Sequence, residues 1–349
     1  MKKTTLSVLL CLAFGCLFES CNTKVDLFAD YKDITIVYGI LEAGKDTNFV
    51  KINKAYLGGD PIAIAMIPDS NNYPGKLDVK LIEYRANASS NYYTPTNRVL
   101  QLDTITIHNK ETNGQFYAPD QKVYYTKETI LGNTHQYQYQ YELQIDRGDT
   151  ILSSKTNIVG GESFIISTAV LNYSSSSENG NVKWYPCPNA SVYQVFIYFN
   201  FAELRGNDTT YRTMEVKNRL YLDSELVTDH GQKMITYKTS ELFTTLKSFL
   251  GADTLDQNVD RLIFEPCMKI SIAAGGEALY DYISVHSPSS SIVQNVQEYT
   301  NIIGGYGVFS SRTLCDKLVK LSTQTLVELT NHPNWRFRQA RGFETIDEE

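Results

Sequence analysis

The chain has 349 residues, 32 Lys and Arg against 39 Asp and Glu, a formal net charge of −7 and 24 tyrosines. An acidic chain argues against a nucleic-acid partner and against electrostatic attachment to anionic lipid headgroups. The length suits two hydrophobic cores better than one, and the many tyrosines, with Ser, Thr and Asn between apolar runs, mark a mainly β protein.

Met1-Lys2-Lys3 is a short positive segment, and Leu6 to Phe18 is an apolar stretch, the charge-then-apolar plan of a secretory signal. The run is shorter than the roughly 20 apolar residues a membrane span needs. It ends in Leu17-Phe18-Glu19-Ser20-Cys21, a small residue directly before a cysteine, and the polar Asn22-Thr23-Lys24 follows at once. This resembles the lipobox of bacterial lipoproteins. The resemblance implies that residues 1–20 are a cleaved signal peptide and that the Cys21 thiol carries a diacylglyceryl group of palmitate type. Cys16, preceded by Ala13-Phe14-Gly15, is the alternative attachment residue. Cleavage at Cys21 takes away two lysines and one glutamate, so the net charge becomes −8. Lipid is then the expected membrane anchor, and residues 21–32 form a short polar tether.

Residues 33–160 read as a first β-sandwich. Ile34 to Leu41 and Asn48 to Leu57 flank Ala43-Gly44-Lys45-Asp46 as a hairpin, and strands are expected at Lys76 to Tyr84, Arg98 to His108, Lys122 to Leu131 and Thr150 to Val159. The cleanest period-two segment is HQYQYQYELQID, with Tyr137, Tyr139, Tyr141, Leu143 and Ile145 on one face and Gln and Glu on the other. That face predicts core packing; an exposed platform for sugar rings is the competing reading. Gly160-Gly161 punctuates the boundary.

Residues 161–290 read as a second sandwich. Ser163 to Asn172, Thr213 to Leu222, Lys233 to Lys238, Arg261 to Ala273 and Leu279 to His286 are expected strands. Trp184 on a short strand before the long apolar strand of VYQVFIYFNFAEL is similar to fibronectin type III domains. One inserted helix is predicted, capped by Ser240, with Leu242, Phe243, Leu246, Phe249 and Leu250 as its apolar stripe and Gly251 as its end. Residues 291–349 form a C-terminal extension of one strand, Leu314 to Leu321, and one short helix, Ser322 to Asn331, stopped by Pro333, which packs on the sandwiches. The expected fold is therefore mainly β, with two tandem immunoglobulin/fibronectin III-like sandwiches.

The lipobox, ITIVYGILEAGKDTNFVKINKAYLG, VKWYPCPNASVYQVFIYFNFAEL, YDYISVH and NIIGGYGVFSSR occur in that order. Together they resemble a Bacteroidetes envelope lipoprotein family known as domain of unknown function 4249, and Gly304-Gly305-Tyr306-Gly307-Val308-Phe309 carries most of the likeness. The resemblance implies an outer-membrane lipoprotein with β-sandwich domains, associated with a TonB-dependent transporter. It brings no catalytic residues with it.

The five histidines, His108, His135, His230, His286 and His332, show no zinc-hydrolase spacing, and no Gly-x-Ser-x-Gly or phosphate-loop motif is present. No metal, catalytic residue or cofactor is expected. Beyond Cys21 only Cys187, Cys267 and Cys315 remain. Cys187 and Cys267 either bridge two strands or stay as buried thiols. Thr104, Thr150, Thr209 and Thr254 each follow Asp and precede Ile, Thr or Leu. They resemble the O-glycosylation acceptor of Bacteroidetes, and the same triplet is an ordinary turn-to-strand step. The functional expectation is a non-enzymatic outer-membrane binding protein. A fimbrial subunit and a glycan-binding lipoprotein are the alternatives.

Overall fold

The structure, a computed structural model, describes residues 34–55, 72–90, 92–108, 120–251, 258–286 and 298–340. The leader, Cys16, Cys21 and Thr254 lie outside them. In chain order the first half contains β1 (Thr35–Glu42), β2 (Asn48–Lys54), β3 (Asp78–Asn87), β4 (Thr94–Gln101), β5 (Asp103–Ile107), β6 (Gln121–Thr126), β7 (Tyr137–Asp146) and β8 (Ile151–Asn157). There follow β9 (Val170–Leu171), β10 (Asn179–Trp184), β11 (Val192–Arg205), β12 (Asp208–Leu222), β13 (Val227–Asp229), β14 (Gln232–Lys238) and helix α1 (Glu241–Leu250). The chain then runs through β15 (Val259–Ile263), β16 (Met268–Gly275), α2 (Glu277–His286), β17 (Tyr306–Leu321), α3 (Thr323–Asn331) and β18 (Phe337–Gln339).

Eleven strands form one large sheet, whose main path runs β18-β15-β11-β16-β17-β1-β2-β6-β5, with β12 on β11 and β9 on β17. Two smaller sheets, β4-β3-β7-β8 and β10-β14-β13, accompany it. The sixteen-residue β17 joins the two ends of the large sheet. Its first part pairs in parallel with β1, from Ile36↔Tyr306 to Glu42↔Arg312. Its second part pairs antiparallel with β16, from Gly275↔Arg312 to Met268↔Val319. Strand alternation puts Phe309, Val319 and Leu321 on one face. Phe309 belongs to the first buried cluster, with Val37, Val50, Leu81, Tyr141 and Leu143, and Val319 and Leu321 belong to the second, with Trp184, Phe199, Ile270 and Leu246. Both cores therefore sit on the same side of the strand. The residues of the expected C-terminal extension supply the middle of the sheet.

Local chemistry explains these elements. Gly44, at φ +77°, turns the β1–β2 hairpin, a backbone that favours glycine. On β7, Tyr139, Tyr141, Leu143 and Ile145 are buried as the alternation predicts, while Tyr137 is half-buried with the Arg85 guanidinium over its ring at 4.3 Å. Each buried apolar side chain contributes about 2 kcal/mol, and a one-residue slip would put glutamines in their place, so the register is firmly set. This burial removes the exposed tyrosine platform. Helix α1 buries Leu242, Leu246 and Leu250 and ends at Gly251 as expected, although Ser240 has helical dihedrals and makes no side-chain cap. Ser322 does cap α3, accepting from the Thr325 N–H.

Four element predictions need correction. Leu279 to His286, read as a strand, lies in helix α2; Tyr, Ile and Val favour strands, but none of this helix is fully buried and it packs on β17 from outside the sheet. Arg261 to Ala273 splits into β15 and β16 around Pro266, which has no N–H for a ladder. Arg98 to His108 likewise splits, because Leu102 donates to the Val79 carbonyl at 2.9 Å while β4 and β5 enter different sheets. Ser163 to Asn172 keeps only β9 and an isolated Ile166–Trp184 bridge. The Cys187–Cys267 bridge is not formed. Both thiols are free and buried, Cys187 Sγ donating to the Pro188 carbonyl at 3.8 Å and Cys267 Sγ to Glu265 Oε1 at 3.1 Å.

Candidate functional site

The chain passes between the two cores at 157–161, and hydrogen bonds fix that passage. Asn133 Nδ2 donates to the carbonyls of Ile158 and Gly160 at 2.6 and 2.8 Å. Ser311 Oγ on β17 donates to the Asn157 carbonyl at 2.6 Å and accepts from the Val159 N–H at 2.9 Å. Gly160 and Gly161 have φ of +92° and +146°, and a side chain at Gly161 would meet the Asn133 carbonyl.

Beside this passage, where β17 exchanges β1 for β16, lies a polar cavity of about 320 Å³. Both halves of the chain build it. Gln140 of β7 and Lys155, Thr156 and Asn157 of β8 come from the first, and Asn189 to Ser191, Gly276 to Ala278 and Ser310 from the second. Asn189 holds a left-handed turn at φ +60°, a conformation Asn tolerates, and its Nδ2 donates to the Ile158 carbonyl at 2.8 Å. The Ser191 N–H donates to the Gly275 carbonyl at 2.9 Å and the Gly276 N–H to the Ser311 carbonyl at 3.1 Å, which fixes the start of α2 at the cavity wall. Helical bonding begins with the Tyr280 N–H to the Gly276 carbonyl at 3.1 Å. The N–H groups of Glu277, Ala278 and Leu279 thus have no partner within the helix, and Gly276 has no side chain to cap them.

The charges in the wall are few. Lys155 Nζ lies 3.2 Å from Glu142 Oε2 and 4.5 Å from the centre of the Tyr84 ring. Burial works against the ammonium, but Glu142 and Tyr84 outweigh it, so its pKa is raised and it stays charged. Burial also pushes the Glu142 carboxyl up, and hydrogen bonds from Tyr84, Gln144 and Lys155 overcome this and hold it below the usual carboxylate range. Glu277 is exposed in the first turn of α2. Ser310 is only 1% exposed, yet its hydroxyl has no hydrogen-bond partner among the described residues.

Two buried polar clusters elsewhere are internally matched. Glu83, buried in the first core, accepts from Tyr141 Oη at 2.7 Å, Arg98 Nη1 at 2.8 Å and Thr96 Oγ1 at 2.9 Å. Glu203 accepts from the fully buried Arg261 at 3.1 Å, and Arg261 also donates to the Trp335 carbonyl at 2.9 Å. Burial pushes the thiols of Cys187, Cys267 and Cys315 up, so all three are protonated at neutral pH. The five histidines are scattered: His108 pairs with Asp120, His135 with Glu162 and His230 with Asp229, while His286 bonds the Tyr282 carbonyl and His332 stacks on Trp335. Among the described residues no group of three His, Cys, Asp or Glu is placed to hold a metal ion, and no helix is long and apolar enough to cross a membrane.

Of the threonines in Asp-Thr triplets, Thr150 and Thr209 are exposed at strand starts in tight turns, and Thr104 is half-buried on β5. None of the candidate site residues named from the sequence lines the cavity, although the quoted stretches VKWYPCPNASVYQVFIYFNFAEL and NIIGGYGVFSSR carry Asn189 to Ser191 and Ser310. The signal that could have pointed to it is Gly275-Gly276-Glu277-Ala278, a glycine pair before a good helix start. No family model matches the chain, and no curated protein matches it significantly.

Proposed function

We propose that this protein is a non-enzymatic envelope lipoprotein, anchored through Cys21 (Cys16 being the alternative) in the outer membrane, that binds a ligand at the cleft between its two cores. In this reading it belongs to the family known as domain of unknown function 4249 and works beside a TonB-dependent transporter. Each half is an immunoglobulin/fibronectin III-like sandwich, and the two share the sheet that β17 runs through. The carrying observation is the polar cleft itself. Two folded halves meet there, uncapped helix N–H groups and an unpaired buried hydroxyl line it, and the buried acids Glu83 and Glu203 elsewhere are matched within the cores. Small-molecule sites commonly occur at such junctions.

Membrane fractionation of Cys21→Ala and Cys16→Ala variants tests the anchor: the first is expected to leave the membrane pellet and the second to stay in it. Extraction of the intact protein in mild detergent tests the partner. Recovery with a transporter in fixed proportion supports the reading, and recovery alone under several detergents contradicts the partner.

A further inference from the structure

We infer that the cleft at the β17 junction takes a small hydroxylated monocarboxylate of the sugar-acid class, its carboxylate held by the start of α2 and the Ser310 hydroxyl. This rests on the binding reading above and names the ligand of that same site. Ser310 is the decisive residue. It stands on β17 opposite Ile40, 1% exposed, and its Oγ has no partner although it lines a cavity rich in polar groups. A buried hydroxyl without a partner is unfavourable, so such groups ordinarily find one. Gly276 lies directly against it: a Cβ there would stand 3.2 Å from Ser310 Oγ and 3.3 Å from Val159 Cγ2, so a side chain at 276 would crowd the hydroxyl. The same glycine begins α2, whose N–H groups at Glu277, Ala278 and Leu279 have no intrahelical partner. Donors of β17 and of the start of α2 thus both border the cavity.

The charge balance selects the class of anion. Lys155 is already matched by Glu142, so the remaining positive field is that of the helix start, about half a charge. Glu277, exposed in the same first turn, opposes any anion there and a dianion twice as strongly. This suits one carboxylate and disfavours a phosphate dianion. The lining also carries Gln140, Asn157, Asn189 and Ser191. Gln140 Nε2 donates to Asn157 Oδ1 at 2.8 Å, which leaves the Asn157 amide N–H groups and the Gln140 carbonyl to meet ligand hydroxyls. A volume of about 320 Å³ is at the lower end for small-molecule sites and suits one ring-sized molecule.

The test uses the mature chain in detergent with glucuronate as the probe and glucose and inorganic phosphate as comparisons. Equilibrium dialysis gives affinity, and hydrogen–deuterium exchange follows the amides of 276–279. Glucuronate is expected to bind and to slow exchange at 276–279, with glucose and phosphate at least tenfold weaker. Ser310→Ala should lower glucuronate affinity about tenfold or more through loss of a hydrogen bond to a charged group, and Gly276→Ala should weaken it by filling the same space. The inference is overturned if glucuronate does not bind, or binds without slowing exchange at 276–279. If glucose binds equally well there, the sugar-acid class fails while the binding reading stands. If glucuronate is recovered chemically altered, the ligand class stands and the non-enzymatic reading fails.

Discussion

Gly307→Ala tests whether β17 couples the two cores. Gly307 has φ +112°, and a Cβ added there would fall on the Val37 carbonyl oxygen of the paired β1. Holding a non-glycine residue in that backbone region costs about 1–3 kcal/mol. The clash must also push β1 away and weaken two or three ladder hydrogen bonds near Val37↔Gly307, at about 1 kcal/mol each. The total is about 4 kcal/mol, and with an m-value of roughly 3 kcal/mol per M the urea midpoint should fall by a little over 1 M. The chain's two tryptophans, Trp184 and Trp335, both lie in the second core, whereas Gly307 pairs with a strand of the first. Tryptophan fluorescence therefore reports the half that is not mutated. If β17 couples the halves, the tryptophan midpoint moves with the far-UV circular dichroism midpoint. A tryptophan transition left where it is in the wild type, with only the dichroism shifted, would refute the coupling.

Three further outcomes follow from polar side chains of the two cores and of the turn after α3. Tyr141→Phe removes a hydroxyl that donates to Glu83 at 2.7 Å and accepts from the Leu131 N–H at 3.0 Å, and should destabilise by about 2–3 kcal/mol in urea unfolding. Arg261→Ala leaves Glu203 buried without its main partner and should cost about 3–5 kcal/mol, while the double change Arg261→Met with Glu203→Met should cost far less; equal losses would contradict the pairing argument. Burial holds His332, stacked on Trp335, below its ordinary pKa of 6.5. The unfolded chain then takes up the proton at higher pH than the folded one, so this contribution is full above about pH 6.5 and is lost as pH falls toward the lowered folded value. Unfolding curves between pH 7.5 and 5 should show His332→Phe losing less stability than the wild type.

What the sequence disclosed follows the range of the interactions involved. Period-two alternation at Tyr137 to Ile145 and the stripe Leu242, Leu246 and Leu250 are local signals, and both appear as read. Pro266 was also a local signal, and giving it more weight would have divided the run from Arg261 to Ala273. Helix α2 was missed because Tyr280, Tyr282, Ile283 and Val285 favour strands, and the surface of β17 that favours a helix there is tertiary. The pairing of Ile36 with Tyr306 brings together residues far apart in the chain, in parallel, and no turn sequence announces such a pair. The cleft depends on that pairing, and Ser310 is set apart from the other serines only by where β17 places it.

The urea stability of Ser310→Ala without added ligand tests most directly whether the cleft is kept open for a ligand. The hydroxyl is buried and unpartnered, so its removal should leave the protein as stable or stabilise it by about 1 kcal/mol. A loss of about 1 kcal/mol or more would show that the hydroxyl is already satisfied within the protein and that the cleft is internal packing.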